Sequence, residues 1–218
     1  MATVLGNSIF GLVSGRVGNF VYSIKNGKQY VQAIPEHTSK PKTQGQLEQT
    51  AKFKTIINFL KPLTPFLRVG FYKKKSILSP SNAAMSYNYK NALAGSYPDY
   101  YIDYSKVLVS QGPLPGALNP EVRLTPEGEI EFTWENNSIA NEAMSDDKVL
   151  LVAYNSDKQE VVSIMGGNLR SDGSQVVTLP STFAGDEVQC HIAFQNTHKL
   201  IVSDSEYIGK ILITVKNE

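Results

Sequence analysis

Apolar and polar residues alternate through the second half of the chain, from about Lys106 to the C-terminus. A period of two is typical of half-buried β-strands. In residues 129–134, for example, Ile130, Phe132 and Trp134 fall on one face. Strands are predicted at residues 106–110, 120–124, 129–134, 148–154, 160–164, 175–179, 188–194 and 206–215. Short strands at this spacing predict an antiparallel β-sandwich of the immunoglobulin or fibronectin type III kind, with Trp134 in its core.

The first half begins with a hairpin signal. Residues 20–25 and 28–34 flank Asn26-Gly27, which supplies the two positive-φ positions of a type I′ turn. Upstream of the hairpin, the chain is punctuated by Gly6, Gly11, Gly15 and Gly18. Glycine at these intervals predicts a flexible or closely approaching backbone. The segment lacks the Lys-Ser/Thr pair of a phosphate-binding loop.

Helical patterns follow the hairpin. Apolar residues at helical spacing predict a helix over residues 44–60, which Pro62 and Pro65 are expected to end. A short helix is predicted over residues 66–72 and another over residues 82–93, with Gly95 as the candidate residue that closes it. The patterns together predict an α+β fold in two regions, a hairpin and helical region over residues 1–105 and an antiparallel β-sandwich over residues 106–218.

Charge distinguishes the same two regions, although the net charge of the whole chain is only +1. Residues 1–100 hold 13 Lys and Arg against 3 Asp and Glu, a net charge of +10. Residues 101–218 hold 8 against 17, a net charge of −9. Asymmetry of this kind indicates charged partners.

The cysteine content and the N-terminus bear on location. The chain has one cysteine, Cys190, which excludes an internal disulfide framework and a cysteine-based zinc site. It alternates with apolar residues, so a buried position in a strand is expected. No apolar run reaches the roughly 18 residues of a membrane span, and residues 1–13 lack the charged start of a signal peptide. We expect a cytoplasmic protein without a membrane partner; export without a cleaved signal peptide is the alternative.

Residues that carry chemistry are few and scattered. The three histidines are His37, His191 and His198. His191 and His198, with Asp204, form the one candidate metal group, although they lack the spacing of known ligand sets. Asp146-Asp147 lies in a polar stretch typical of a solvated loop and lacks the Asp-x-Asp spacing of a calcium site. No Gly-x-Ser-x-Gly motif is present. We therefore predict no enzyme, no catalytic residue, no cofactor and no bound metal.

Tyrosine and lysine cluster between residues 73 and 104. The candidate interface comprises Lys73, Lys74, Lys75, Tyr87, Tyr89, Tyr100 and Tyr101. These residue types suit an amphipathic protein interface. They also suit base stacking combined with phosphate neutralisation. A third interpretation is that the rings close the junction between the two regions.

Four short motifs are distinctive. They are Gly15-Arg16-Val17-Gly18-Asn19, Asn26-Gly27-Lys28-Gln29, Gly112-Pro113-Leu114-Pro115-Gly116 and Phe183-Ala184-Gly185-Asp186-Glu187-Val188. In these motifs the chain resembles an uncharacterised family of Bacteroidota proteins of similar length, known as a domain of unknown function. The resemblance implies the same division of the fold and a bacterial origin. It implies no activity and no catalytic residues.

The sequence therefore predicts a non-catalytic structural or adaptor protein that acts through protein–protein assembly. The first expected partner is the protein itself, in a homo-oligomer or filament, with the basic half of one copy against the acidic half of the next. Two alternatives stay open. One is a nucleic-acid-binding protein that uses the basic N-terminal half, and the other is a carbohydrate-binding β-sandwich module.

Overall fold

The computed structural model describes residues 3–5, 12–25, 27–34, 41–73, 77–139 and 142–214. The chain forms two compact units, Met1–Thr43 and Gln44–Glu218. The boundary that charge and periodicity suggest, between residues 105 and 106, falls inside the second unit. The two divisions differ because helical residues before this boundary share a hydrophobic core with strands that follow it.

The first unit contains one antiparallel sheet. Its strands lie side by side in chain order and are β1 (Thr3–Leu5), β2 (Leu12–Val17), β3 (Phe20–Lys25) and β4 (Lys28–Ala33). The predicted hairpin is confirmed, since Lys25 of β3 pairs with Lys28 of β4 across a two-residue turn. Asn26 lies outside the described residues, and Gly27 has a φ of 73°.

The glycine-punctuated segment is not a flexible arm where the structure describes it. Gly15 lies within β2 and pairs with Tyr22 of β3. Gly18 begins the turn between β2 and β3 with a φ of 56°. Because glycine adopts positive φ without steric cost, Gly18 favours a tight turn between two strands. Gly6 and Gly11 lie outside the described residues.

The first helix of the second unit, α1 (Gln44–Gly70), passes through both prolines that are expected to end it. Pro65 has no N–H to donate to the carbonyl of Lys61. The hydroxyl of Thr64 donates to that carbonyl instead, at 2.8 Å. Packing also supports this stretch, through buried Leu63, Phe66 and Leu67. The prediction of two separate helices is therefore wrong.

The next helix, α2 (Pro80–Asn91), corresponds to the helix predicted over residues 82–93. Ser79 caps it by accepting a hydrogen bond from the backbone amide of Asn82 at 3.3 Å, and Pro80 suits the first helical position. Gly95 does not close this helix, because it lies in β5 (Leu93–Ser96), which pairs with β6 (Asp99–Ile102). None of the described helices is long and apolar enough to span a lipid bilayer.

Two further antiparallel sheets complete the second unit. The smaller has the order β11-β8-β7 and consists of β7 (Leu118–Leu124), β8 (Ile130–Glu135) and β11 (Ser174–Val177). The larger consists of β9 (Lys148–Asn155), β10 (Glu160–Leu169), β12 (Glu187–Asn196), β13 (Ile201–Val202) and β14 (Glu206–Leu212). In it, β12 pairs with β9 along one edge and with β13 and β14 along the other. Each strand predicted after residue 118 overlaps one of these, and the fold is α+β.

Residues 106–110 do not form the strand that their alternation predicts. Asn88 of α2 exchanges two hydrogen bonds with the backbone of Leu108, at 2.8 and 3.0 Å. The hydroxyl of Ser205 accepts another from the backbone amide of Val109 at 2.9 Å. Side chains therefore satisfy the backbone groups of this buried segment, as a strand ladder otherwise would. Alternation alone does not distinguish the two arrangements.

Two hydrophobic clusters fill the second unit. One lies between the two sheets and contains Trp134, which is 4% exposed, and Cys190, which is fully buried. The predicted burial of both residues is confirmed. The other cluster joins α1 and α2 to the opposite face of the five-stranded sheet, through residues such as Phe59, Leu150 and Tyr154. The five-stranded sheet is therefore covered on both faces.

Candidate assembly interface

The N-terminal sheet has two chemically different faces. Residues directly opposite each other in antiparallel strands lie on the same side of a sheet, as do alternate residues of one strand. The register pairs Val17 with Phe20, and it pairs Tyr22 with both Gly15 and Val31. One side, the apolar face, carries Val13, Gly15, Val17, Phe20, Tyr22, Ile24, Gln29, Val31 and Ala33.

The other side, the basic face, differs in charge. It carries Ser14, Arg16, Val21, Ser23, Lys25, Lys28, Tyr30 and Gln32. Residues 12–34 contain three Lys and Arg and no Asp or Glu. Arg16 donates through Nε to the carbonyl of Gly18 at 3.2 Å, which leaves its charge without an acidic partner in this segment. The basic face therefore attracts anionic groups.

The sheet has no core among its described residues. None of residues 13–25 and 27–34 is buried. On the apolar face, Val17 and Phe20 are each 48% exposed and Val31 is 52% exposed. On the basic face, Val21 is 38% exposed and Tyr30 is 47% exposed. The sheet is a single layer with two accessible faces.

A single-layer sheet does not stabilise itself in water. Ordering the backbone costs about 1–2 kcal/mol per residue in conformational entropy, and burial of apolar surface is the main favourable term that offsets this cost. Strands become independently stable when a hydrophobic face packs against something. Apolar side chains grouped on an accessible face also mark interaction sites. The apolar face is therefore the candidate interface.

The tyrosines predicted as an interface lie in the second unit, in different environments. The hydroxyl of Tyr89 on α2 donates to Gln49 of α1 at 2.6 Å. The ammonium of Lys52 lies 5.4 Å from the centre of the Tyr100 ring. Tyr101 is 60% exposed, whereas Tyr87 is half-buried on α2.

Lys73 of the predicted interface and the neighbouring Tyr104 also lie in different environments. Lys73 is exposed and donates to Gln111 at 3.2 Å, and Lys74 and Lys75 lie outside the described residues. The ring of Tyr104 packs edge-on against Phe59 of α1, with 5.9 Å between ring centres. Tyr104 also lies beside Tyr154 of β9, with 5.9 Å between ring centres, and so joins α1 to the five-stranded sheet. A role of the predicted tyrosines and lysines in binding stays a prediction.

The histidines do not converge on a metal site. His191 of β12 is 1% exposed, and its ring nitrogens have no hydrogen-bond partner among the described residues. Burial lowers the pKa of His191 to about 4. The His198 side chain is 81% exposed and lies 3.5 Å from Asp146, while His37 lies outside the described residues. Within the described ranges, no group of three His, Cys, Asp or Glu side chains is placed to hold a metal ion.

The prediction that Asp146-Asp147 is a solvated pair is wrong for Asp147. This carboxylate is fully buried and accepts a hydrogen bond from Nε of Arg170 at 3.2 Å. Arg170 is also fully buried, with its guanidinium 3.8 Å from the ring centre of Phe194. Burial lowers the pKa of Arg170, and Asp147 opposes that shift. The pair fastens the loop before β9 to the end of β10, which is a structural role.

The C-terminal region presents no exposed aromatic platform in its described part, residues 106–139 and 142–214. Trp134, Phe132 and Phe194 are buried in the core between the sheets. Tyr207 is half-buried, and its hydroxyl donates to Gln189 at 2.7 Å. Because a sugar ring stacks on an exposed aromatic side chain, the carbohydrate-binding alternative gains no support from this region.

Fold and surface together define a class: an α+β protein whose N-terminal sheet has an accessible apolar face and whose two hydrophobic clusters have their buried residues within positions 56 to 213. The chain belongs to a family of unknown function, DUF6266, whose model matches residues 12–209. No curated protein matches the chain. The matched region includes β2, β3 and β4, so the sheet that carries the candidate interface belongs to the family region along with most of the second unit.

Proposed function

We propose that the protein is a non-catalytic structural or adaptor protein that acts through protein–protein assembly, with the N-terminal sheet as its binding element. One observation carries this proposal. None of residues 13–25 and 27–34 is buried, although one face of the sheet carries mainly apolar side chains and no charged one among these residues. An ordered sheet without its own core requires a partner surface.

The reactive groups of the second unit support a role without catalysis. Cys190 is fully buried, and burial raises the pKa of its thiol to about 12. The thiolate is the reactive form of cysteine, so this residue is inert near neutral pH. His191 is neutral at the same pH because burial lowers its pKa to about 4, and it is shielded from solvent.

The partner that we propose first is another copy of the chain. The outer face of the three-stranded sheet carries Glu121, Glu131 and Glu135 against a single Arg123. This acidic surface complements the basic face of the N-terminal sheet of another copy. A contact between unlike surfaces is heterologous and leads to rings or filaments. Charge contributes more to the rate and orientation of such contacts than to their affinity.

Nucleic acid is the second candidate partner, and the basic face favours it. Lys28 and the half-exposed ring of Tyr30 lie on the same face of β4. A cation beside an accessible ring suits a phosphate and a stacked base. This candidate leaves the apolar face unexplained, because a polyanion does not cover apolar surface.

We also propose the type of the fold, the location and the origin of the protein. The two sheets of residues 106–218 form an immunoglobulin- or fibronectin type III-like sandwich, which the shared core of Phe132 and Ile192 supports. The protein is cytoplasmic, which a single buried cysteine supports because it suits a reducing compartment. It originates from Bacteroidota, which the sequence motifs described above support.

Light scattering on the full chain tests the assembly proposal. At tens of micromolar protein, in low and in physiological salt, we expect a mass above the 24.0 kDa of a single chain. The mass should rise with concentration. A mass that stays at 24.0 kDa in both salts would contradict self-assembly. Co-elution of a labelled oligonucleotide with the single chain would instead favour the nucleic-acid alternative.

A further inference from the structure

We infer that two copies of the chain pack their N-terminal sheets against each other through the apolar face. The inference rests on the proposed function, since it names the surface and the partner through which assembly begins. The same surface of each copy contacts the other, which makes the pair isologous. The result is a two-layered structure in which side chains of the two apolar faces interdigitate.

The chemistry of the apolar face suits contact with a second copy of itself. It carries no charged side chain among its described residues, so self-contact buries no like charges and no unpaired ion. Phe20 and Tyr22 supply the aromatic surface that is enriched in interface cores. The polar side-chain groups of this face are the Tyr22 hydroxyl and the Gln29 amide, which form hydrogen bonds without carrying charge.

The basic face does not suit contact with its own copy. Such a contact would bring Arg16, Lys25 and Lys28 towards the same three cations, and residues 12–34 contain no acidic side chain to offset them. Like charges across an interface are strongly unfavourable. Only the apolar face is therefore self-complementary, and pairing through it leaves both basic faces exposed for anionic surfaces.

The size of the sheet sets the strength of the contact. Three of its four strands are six residues long. With strands about 4.8 Å apart and about 3.3 Å per residue, the face covers roughly 400 Å². Two copies together bury about 800 Å², less than the roughly 1,200 Å² of stable standard interfaces. We therefore expect weak, concentration-dependent pairing that further contacts between copies strengthen by avidity.

Two valines on opposite faces provide matched variants of the full chain. Val31 lies on the apolar face and is 52% exposed, and Val21 lies on the basic face and is 38% exposed. Val31→Lys should weaken association by roughly tenfold or more, because burying an unpaired charge is highly unfavourable. Val21→Lys should not weaken association, because Val21 lies outside the apolar contact and a further cation on the basic face does not oppose an acidic partner surface. Sedimentation equilibrium measures both, with circular dichroism as the control for folding.

A second measurement serves if Val31→Lys disrupts the sheet. Cys190 is the only cysteine of the chain and is fully buried. The Val31→Cys and Val21→Cys variants therefore each add one accessible thiol. Alkylation by a maleimide should slow with increasing protein concentration in the Val31→Cys variant, because pairing covers the thiol. At high salt, which screens a charge contact through the basic face, alkylation in the Val21→Cys variant should not depend on concentration.

The outcomes separate this inference from the proposed function. Weakened association in Val31→Lys, together with concentration-dependent protection in Val31→Cys, supports the pairing. Association that survives Val31→Lys but is lost on replacing Lys25 and Lys28 by Glu overturns the pairing, and assembly then proceeds through a charge contact. Equal alkylation of both cysteine variants at every concentration also overturns the pairing. A wild-type chain that stays monomeric overturns both.

Discussion

The N-terminal sheet and the five-stranded sheet are both antiparallel, yet they differ in what covers them. In the five-stranded sheet, every residue from 149 to 155 of β9 is buried, because α1 and α2 cover one face and the smaller sheet covers the other. In the N-terminal sheet, none of residues 13–25 and 27–34 is buried. An apolar strand pattern therefore indicates which face of a strand can be buried. It does not show which surface buries that face.

The difference indicates where the stability of the molecule resides. Both hydrophobic clusters draw their buried residues from positions 56 to 213. The second unit therefore has the burial that drives its own folding, whereas none of residues 13–25 and 27–34 of the first unit is buried. Substitutions in the second unit should change the free energy of unfolding, and substitutions in the sheet should change association.

The largest expected effect is a difference in the free energy of unfolding between substitutions of Trp134 and of Phe20. Trp134 packs edge-on against Phe194, with 5.6 Å between ring centres, and donates through Nε1 to the carbonyl of Arg170 at 2.9 Å. Trp134→Ala should lower the free energy of unfolding by about 3–5 kcal/mol. Phe20→Ala should change the unfolding of the second unit by less than about 0.5 kcal/mol, because Phe20 lies outside its core. Denaturant titration followed by circular dichroism measures both.

Phe132→Ala is the matched control, since Phe132 is a fully buried ring of β8. It should resemble Trp134→Ala and not Phe20→Ala. If Phe20→Ala costs as much as Phe132→Ala, the two units unfold as one cooperative core and the comparison fails.

The next effect is a pH dependence that belongs to the second unit. His191 lies beside Tyr207, with 5.2 Å between ring centres, and burial lowers its pKa from 6.5 to about 4. The unfolded chain therefore binds this proton more readily than the folded chain. The contribution of neutral His191 to the free energy of unfolding is therefore complete above about pH 6.5, and it is lost as the pH falls through 4. The shift corresponds to roughly 3 kcal/mol of unfolding free energy.

Denaturant midpoints between neutral pH and pH 4 measure this loss. His191→Phe should flatten the pH dependence, because the buried titrating group is gone. His198→Gln should leave it unchanged, because the His198 side chain is 81% exposed. The same acid slope in the wild type and in both variants would show that His191 does not contribute.

The smallest of these effects lies at the end of α1. A Cβ on Gly70 would lie 2.3 Å from the carbonyl oxygen of Val109 and 3.0 Å from Cα of Ser110. Gly70→Ala must therefore push two backbone segments apart, at a cost of about 1–3 kcal/mol. Gly45→Ala, at the start of the same helix, meets nothing within 4 Å. It should gain up to about 1 kcal/mol from helix propensity.

Thermal unfolding of the two glycine variants provides the measurement. A lower midpoint for Gly70→Ala and an equal or higher midpoint for Gly45→Ala are expected. Equal midpoints would mean that the close approach of α1 to residues 109–110 does not constrain position 70.

Sequence patterns predict an element correctly where the residues of that element alone determine its structure. Asn26-Gly27 predicts the hairpin of β3 and β4, and the alternation of residues 129–134 predicts β8 with Trp134 buried. The errors arise where side-chain hydrogen bonds decide the structure. Thr64 bonds the carbonyl that Pro65 leaves unpaired, and Asn88 binds the backbone of a segment that resembles a strand.

The candidate interface could be predicted from the sequence only in part. The alternation of β3 places Tyr22 and Ile24 on one face. The sequence does not predict β2, because glycines interrupt its pattern, and β2 adds Val13 and Val17 to that face. The buried ion pair could not be predicted, because Arg170 is followed by Ser, Asp and Gly, a sequence typical of an exposed turn. Only the packing of distant strands buries it.

The central claim is that the N-terminal sheet, and not the second unit, carries assembly. Sedimentation of the full chain and of residues 44–218, at matched concentrations, tests this claim most directly. The shorter chain keeps both hydrophobic clusters, so we expect it to fold and to stay a monomer. The mass of the full chain should rise above 24.0 kDa with concentration. Assembly of the shorter chain to the same degree as the full chain would contradict the account.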